Sequence, residues 1–173
     1  MREDFRGAKE KQEKEFEEKV VQISRVSKKT KGGNKLSFAV MMVSGDRKGR
    51  VGVGLGKAAG VPEAMKKASI NSKKHLIKIP MKGNTIPCEI KHKKGAAIVF
   101  LKPAPAGTGV IAGGSVKAVL ELAGVRDVLS KIIGSNNHIA NVYATIEAMK
   151  KMIVWSNLQQ DRKKEIAAKG QKG

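Results

Sequence analysis

Glycine and lysine recur together in the stretch 45-GDRKGRVGVGLGKAAGVPEAMKKA-68, which runs into the start of a helix. Glycines before a helix let main-chain N–H groups approach phosphate, and the helix N-terminus favours an anion. Two nucleotide-binding patterns use that chemistry. A P-loop requires G-x-x-x-x-G-K-[ST]. Gly56 and Lys57 supply its end, but Val51 stands at its first glycine and Ala58 at its Mg²⁺-binding hydroxyl. A dinucleotide fingerprint requires G-x-G-x-x-G/A. Gly107, Gly109 and Ala112 satisfy it, a helix follows, and Asp127 lies 15 residues past Ala112. Pro103 and Pro105 nevertheless separate these glycines from the preceding strand, whereas the fingerprint places the turn at the strand end. A docking loop is the preferred reading of 103-PAPAGTGVIAGG-114.

Other catalytic chemistry finds no constellation. Between residues 20 and 173 the carboxylates are Asp46, Glu63, Glu89, Glu121, Asp127, Glu147, Asp161 and Glu165, mostly beside lysines or in solvated positions. No serine sits in a G-x-S-x-G elbow. His75, His92 and His138 stand far apart with no cluster at metal-ligand spacing. Cys88 is the only cysteine, so no internal disulfide can form. Neither a catalytic residue, a metal site nor a cofactor is expected.

What remains is charge. Lys and Arg number 35 against 15 Asp and Glu, a net of +20. Residues 1–19 carry a net −1, residues 20–95 a net +15, residues 96–160 a net +3 and residues 161–173 a net +3. A polyanionic partner is expected to meet the middle of the chain. Aromatics are only 3%, which argues against several stacking platforms for single strands. Double-stranded RNA read by shape and phosphate fits better. No apolar run reaches the ~20 residues of a membrane span, and the first residues lack the apolar core of a signal peptide. A cytoplasmic protein is expected, with neither membrane nor small-molecule substrate.

Four regions position these residues: a charged extension over 1–19, a first domain over 20–80, a second over 85–155 and a basic tail over 156–173. In the first domain, strands are predicted at 20-VVQISRV-26, 36-LSFAVMMV-43 and 50-RVGVGLG-56. Gly52, Gly54 and Gly56 leave one face of the third strand bare, which implies close approach by a packed helix or a ligand. A helix is predicted over 62–79, with Pro62 in its first turn. Ala64, Met65, Ala68, Ser72, Leu76 and Ile79 form one face, and Lys66, Lys67, Lys73, Lys74 and Lys78 the other. The loop 27-SKKTKGGNK-35 holds four lysines and no large apolar residue, with Gly32-Gly33-Asn34 able to take positive φ. It is either a solvated hairpin tip or a basic finger on phosphates. Residues 80–84 read as a linker. Beyond them come a strand alternating Ile86, Cys88 and Ile90, a turn at 93–95, a buried strand at 96–102, a helix capped by Ser115 and stopped by Gly124, a segment at 127–134 that fits strand or helix, and a helix over 136–152 capped by Asn136 or Asn137.

The stretches 25-RVSKKTKGGNKLSF-38, 45-GDRKGRVGVGLGKA-58 and 107-GTGVIAGG-114 followed by 118-AVLELAGVRDVLSK-131 resemble the family of the fifth protein of the bacterial small ribosomal subunit, from about residue 19 to 152. The resemblance implies an α+β protein with a double-stranded-RNA-binding-like β-β-β-α domain, then a β-β-α-β-α domain with a left-handed crossover, and so a strand at 127–133. It implies a structural, non-enzymatic protein that binds small-subunit rRNA and supports assembly and accuracy near the point where mRNA enters, beside the fourth and eighth proteins. Arg25, Ser27, Lys28, Lys29, Lys31, Gly32, Gly33 and Lys35 would contact rRNA, extended by Arg47, Arg50, Gly54, Gly56 and Lys57. The loop of Gly107, Thr108, Gly109, Gly113 and Gly114, with Lys117, would lie toward the fourth protein. Asn34 departs from the basic residue of the family pattern. A nucleotide-dependent enzyme and a general DNA- or membrane-binding basic protein are the competing readings.

Overall fold

Alternating β-branched residues draw the first half of the chain into a sheet. The computed structural model describes residues 16–170. β1 (Glu17–Thr30), β2 (Gly33–Gly45), β3 (Arg50–Ala58) and the short β4 (Ile77–Lys78) form an antiparallel sheet in that order. β1 begins at Glu17 rather than residue 20, so the expected extension is in part sheet, and residues 1–15 lie outside the described residues. A bulge at Val21 turns Val20 toward one face and puts Val21 and Gln22 on the other. The turn from β2 to β3 is built by Asp46. Its Oδ1 accepts from Lys48 N at 2.8 Å and Arg50 N at 2.9 Å, and its Oδ2 from Arg50 Nε at 2.6 Å.

α1 (Val61–Lys74) lies across this sheet and buries Ala64, Ala68 and Ser72. The bare face of β3 receives it. A Cβ at Gly52, Gly54 or Gly56 would overlap the backbone of Ser72, Ala68 or Ala64 respectively. Of the two occupants left open by the sequence, the helix is the one present. α1 ends at Lys74 rather than Ile79. Ile77 and Lys78 pair instead with Val51 and Arg50, and Pro80 disfavours helical backbone at Ile79. Lys78 therefore leaves the expected lysine face, and Lys73 pairs with Glu18 of β1 at 2.9 Å.

β5 (Ile90–Lys94), β6 (Ala97–Pro103), β7 (Val110–Ile111) and β8 (Val128–Gly134) form the second sheet, in the order β5-β6-β8-β7, with β7 parallel to β8 and the other pairs antiparallel. The segment that fitted strand or helix is thus a strand. β5 starts at Ile90, four residues past the predicted start, and turns at Gly95, whose φ is 58°. α2 (Gly114–Ala123) is capped by Gly113, not Ser115, whose hydroxyl is buried without a partner; Gly124 ends it in left-handed conformation at φ 91°. α3 begins at His138, with Asn137 Oδ1 accepting from Ile139 N at 3.0 Å, and its backbone stays helical to Gly170. The predicted tail is therefore mostly helix, because no Gly or Pro interrupts 153–169. Its last residues, 171–173, lie outside the described residues. On the inner side, Glu147 of α3 accepts from Lys94 Nζ and has His92 Nε2 3.2 Å away, while the Lys94 ammonium lies 4.9 Å from the Tyr143 ring centroid.

The two sheets share one core. Met41, Val43, Val51 and Val53 pack with Val99, Leu101, Val119, Leu122 and Met149. At the seam, Leu122 O accepts from Arg47 N at 3.0 Å and Ala123 O from Gly49 N at 2.9 Å. A Cβ at Gly45 would overlap Leu122 O, and one at Gly124 would overlap Arg47 O. The expected linker is tied down as well. Asn84 O accepts from Arg126 N and Asp127 N at 2.9 and 3.1 Å.

Candidate nucleic-acid interface

The stretch from Arg25 to Lys35 contains five cations and no carboxylate. It was expected as a loop, yet β1 and β2 run through it and close on a two-residue Lys31-Gly32 turn. Thr30 is opposite Gly33 and donates from Oγ1 to its carbonyl at 2.8 Å. Of the three turn residues thought able to take positive φ, only Gly33 does, at 131°. Register sorts the side chains. Lys28 is opposite Lys35, Lys29 opposite Asn34, Ser27 opposite Leu36 and Arg25 opposite Phe38. Like charges facing each other across a ladder repel, so this hairpin holds its cations together at a cost that an anion would relieve. All eight finger residues of the sequence reading are exposed, and none of its cations pairs with a carboxylate among the described residues. Space is open around a Cβ at Gly32 or Gly33, so a phosphate could reach their backbone.

The residues expected to extend this surface behave differently. Arg47, held at φ 54°, binds Glu17 through Nε at 2.9 Å and Nη2 at 2.7 Å. Arg50 is engaged by Asp46 and lies 5.1 Å from the Phe16 ring centroid. Burial raises the Asp46 pKa, but the Arg50 guanidinium and the Arg50 and Lys48 amides outweigh it and hold the carboxyl below its ordinary value. Gly54 faces α1. Ala68 and Ser72 of α1 cover it, so the helix, rather than a phosphate, makes the close approach that its missing side chain permits. Gly56 is likewise packed against Ala64 and Ala68, and what it offers is the floor of an open cleft of about 390 Å³ lined also by Leu55, Lys57, Lys67, Ile70 and Asn71. Lys57 is exposed beside that cleft.

In the second half, buried Asp127 organises the glycine loop. Its Oδ1 accepts from Gly107 N and Gly109 N, each at 3.0 Å, with φ of 90° and 76° at the two glycines. The two N–H groups and the acid that suggested a dinucleotide site are therefore spent on one another. Thr108 Oγ1 donates to Pro105 O at 2.8 Å. Gly113 caps α2 with Ile132 against it, Gly114 is open, and exposed Lys117 lies 3.7 Å from Glu121, which also binds Lys19 at 3.1 Å. A cleft of about 420 Å³ brings Val110, Glu121, Gly124, Val125 and Arg126 together with Arg47. Arg126 was not singled out from sequence, because it is isolated in the chain and reaches this cleft only through the seam.

These features describe an α+β protein of two joined modules, with a basic hairpin whose tip is free of carboxylates on the first and an acid-anchored glycine loop on the second. Residues 16–80 match the N-terminal domain of ribosomal protein S5, and residues 92–162 match its C-terminal domain. The chain is 49% identical over 149 residues to the small ribosomal subunit protein uS5c of Cyanophora paradoxa, covering 86% of this chain and 88% of that protein. The chain belongs to the ribosomal protein S5 family, whose members are structural, non-enzymatic constituents of the small subunit. No helix among the described residues is long and apolar enough to cross a membrane.

Proposed function

We propose that this chain holds small-subunit rRNA through the β1–β2 hairpin and thereby supports subunit assembly. The observation that carries the reading is the outer part of the hairpin, from Arg25 to Lys35, with five cations, no acid and an open glycine turn. Exposed lysines neutralise backbone phosphates, and the glycine turn admits close approach of the main chain. Arg25, Ser27, Lys28, Lys29, Lys31, Gly32, Gly33 and Lys35 make the principal contacts, with Lys57 beside them and Arg47 and Arg50 contributing from their carboxylate pairs. The loop from Gly107 to Gly114, with Lys117, faces the fourth protein of the subunit, and the eighth protein is a second neighbour. The chain acts near where mRNA enters the subunit and influences decoding accuracy.

Sedimentation of a lysate through a sucrose gradient, with and without a moderate-salt wash, tests this. Co-migration with the small subunit that survives the wash is expected. A chain that remains at the top of the gradient refutes the reading.

A further inference from the structure

Among the described residues, the second sheet is covered by α2 and α3 on one face only. The inward positions are Val99 and Leu101 of β6 and Val128 of β8, all buried, with His92 and Lys94 reaching Glu147 of α3. The alternate positions form the other face, and the strand register orders them in three rows. Lys91, Phe100 and Lys131 stand side by side across β5, β6 and β8. Lys93, Ile98 and Ile133 form the next row, and Lys102, Leu129 and Ile111 run across β6, β8 and β7. Four of these nine residues are lysines, five are apolar and none is acidic. Ile111, Leu129 and Ile133 are 53%, 37% and 43% exposed, and Phe100 and Ile98 are half-buried.

We propose that this open face is a second nucleic-acid site, which takes an unpaired stretch of RNA with a base stacked on Phe100 and phosphates on Lys91 and Lys131. The proposal rests on the reading that the chain binds RNA, and assigns a different kind of RNA to a different face. Neighbouring strands lie about 4.8 Å apart, so the two lysines flank the ring at one strand spacing on each side. A nucleotide has that chemistry: a flat apolar base with negative charge at its edge. An acidic protein would satisfy the lysines but leave Phe100, Ile98 and Ile133 facing carboxylates. Duplex RNA does not suit the site, because its bases are stacked inside and a flat sheet cannot reach them. An open sheet bearing an aromatic residue in its middle is suited to splayed single strands. Backbone groups lie in the plane of the sheet and those between β5, β6 and β8 are paired, so no main-chain donor points out of this face to read base edges and binding is tolerant of sequence.

The experiment uses the full chain and two labelled probes in fluorescence anisotropy. One is an oligoadenylate of roughly ten nucleotides, within single-strand site sizes. The other is an RNA duplex of about 16 base pairs. Phe100→Leu is expected to weaken single-strand binding by about 5- to 150-fold, the loss of one base–aromatic stack, and to leave duplex binding unchanged. Lys91→Gln with Lys131→Gln, at exposed positions that do not threaten the fold, is expected to flatten the single-strand salt slope by about 0.7 per lost contact. Substituting Lys28, Lys29 and Lys31 by alanine is expected to do the reverse, weakening the duplex more than the single strand. If the Phe100 and lysine variants bind the single strand as the parent does while duplex binding persists, the second site is refuted and the hairpin reading survives. Polyglutamate displacing the single strand equally from parent and Phe100→Leu would assign the face to an acidic protein and refute the site. Failure of the parent to bind either probe would refute the RNA reading itself.

Discussion

At the residue scale, the lysines of the hairpin and the acid under the glycine loop carry opposite kinds of work. Lys28, Lys29 and Lys31 are exposed and make no carboxylate pair among the described residues. Their replacement by alanine should leave the melting temperature nearly unchanged and reduce the salt slope of duplex RNA binding by up to about 0.9 per lost phosphate contact. Asp127 is the reverse case, buried and engaged twice. Asp127→Ala should cost about 1–2 kcal/mol, since two loop N–H groups lose their acceptor but water can reach Gly107. Hydrogen exchange at Gly107 and Gly109 should accelerate well before the core does. Glu147 sets a pH dependence. The Lys94 ammonium, and less strongly the His92 ring, hold its carboxyl below the ordinary 4.5, with burial opposing them. A folded-state pKa below the unfolded one gives stability that is present above the unfolded value and lost as pH falls through the folded value. The parent should therefore lose more stability than Glu147→Gln on acidification below about pH 4.5, read from urea midpoints at neutral and acid pH.

At the scale of elements, the glycines of β3 are the sharpest case. Gly54→Val drives a branched side chain into Ala68 and Ser72 of α1. Overpacking of that kind costs about 3 kcal/mol or more, which lowers the melting temperature by roughly 10 °C in a chain of this size. A thermal melt checks it, and an unchanged melt would mean that α1 does not lie on β3. Periodicity alone made the helix, the three long strands and a bare glycine face legible, because alternation in 36–43 and 50–56 is local information. What covered that face was not legible, since a helix and a phosphate both require glycine. The register of 27–35 was hidden for a related reason. Four lysines and two glycines read as a loop, whereas the ladder from Val26 to Thr30 is fixed by continuity with β2, a tertiary matter. Helix α1 was overextended because the pairing of Ile77 and Lys78 with β3 lies 26 or more residues away in sequence. Among the site residues, the finger was legible as a basic turn, the helix over Gly54 was not, Arg126 emerged only from the seam, and the row of Lys91, Phe100 and Lys131 only from strand pairing.

At the scale of the whole molecule, the two modules are chemically distinct and physically one. Val43 and Val53 of the first sheet share a core with Leu122 and Met149. Neither module keeps its buried apolar surface if the other leaves. Unfolding should therefore be a single transition, with amides in β2 and β6 protected to the same free energy and melting at the same urea concentration. Two separated midpoints would show that the seam is weaker than the shared core implies.

The seam between Gly45 and Leu122, and between Gly124 and Arg47, is main chain against main chain. No flexible side chain lies between those backbones to absorb a displacement. The hairpin tip and the loop at Gly107–Gly114 thus behave as two arms on one rigid body, which has only six degrees of freedom in space. Fixing the hairpin against a partner spends most of them, so the loop arrives at its own neighbour with its position already decided.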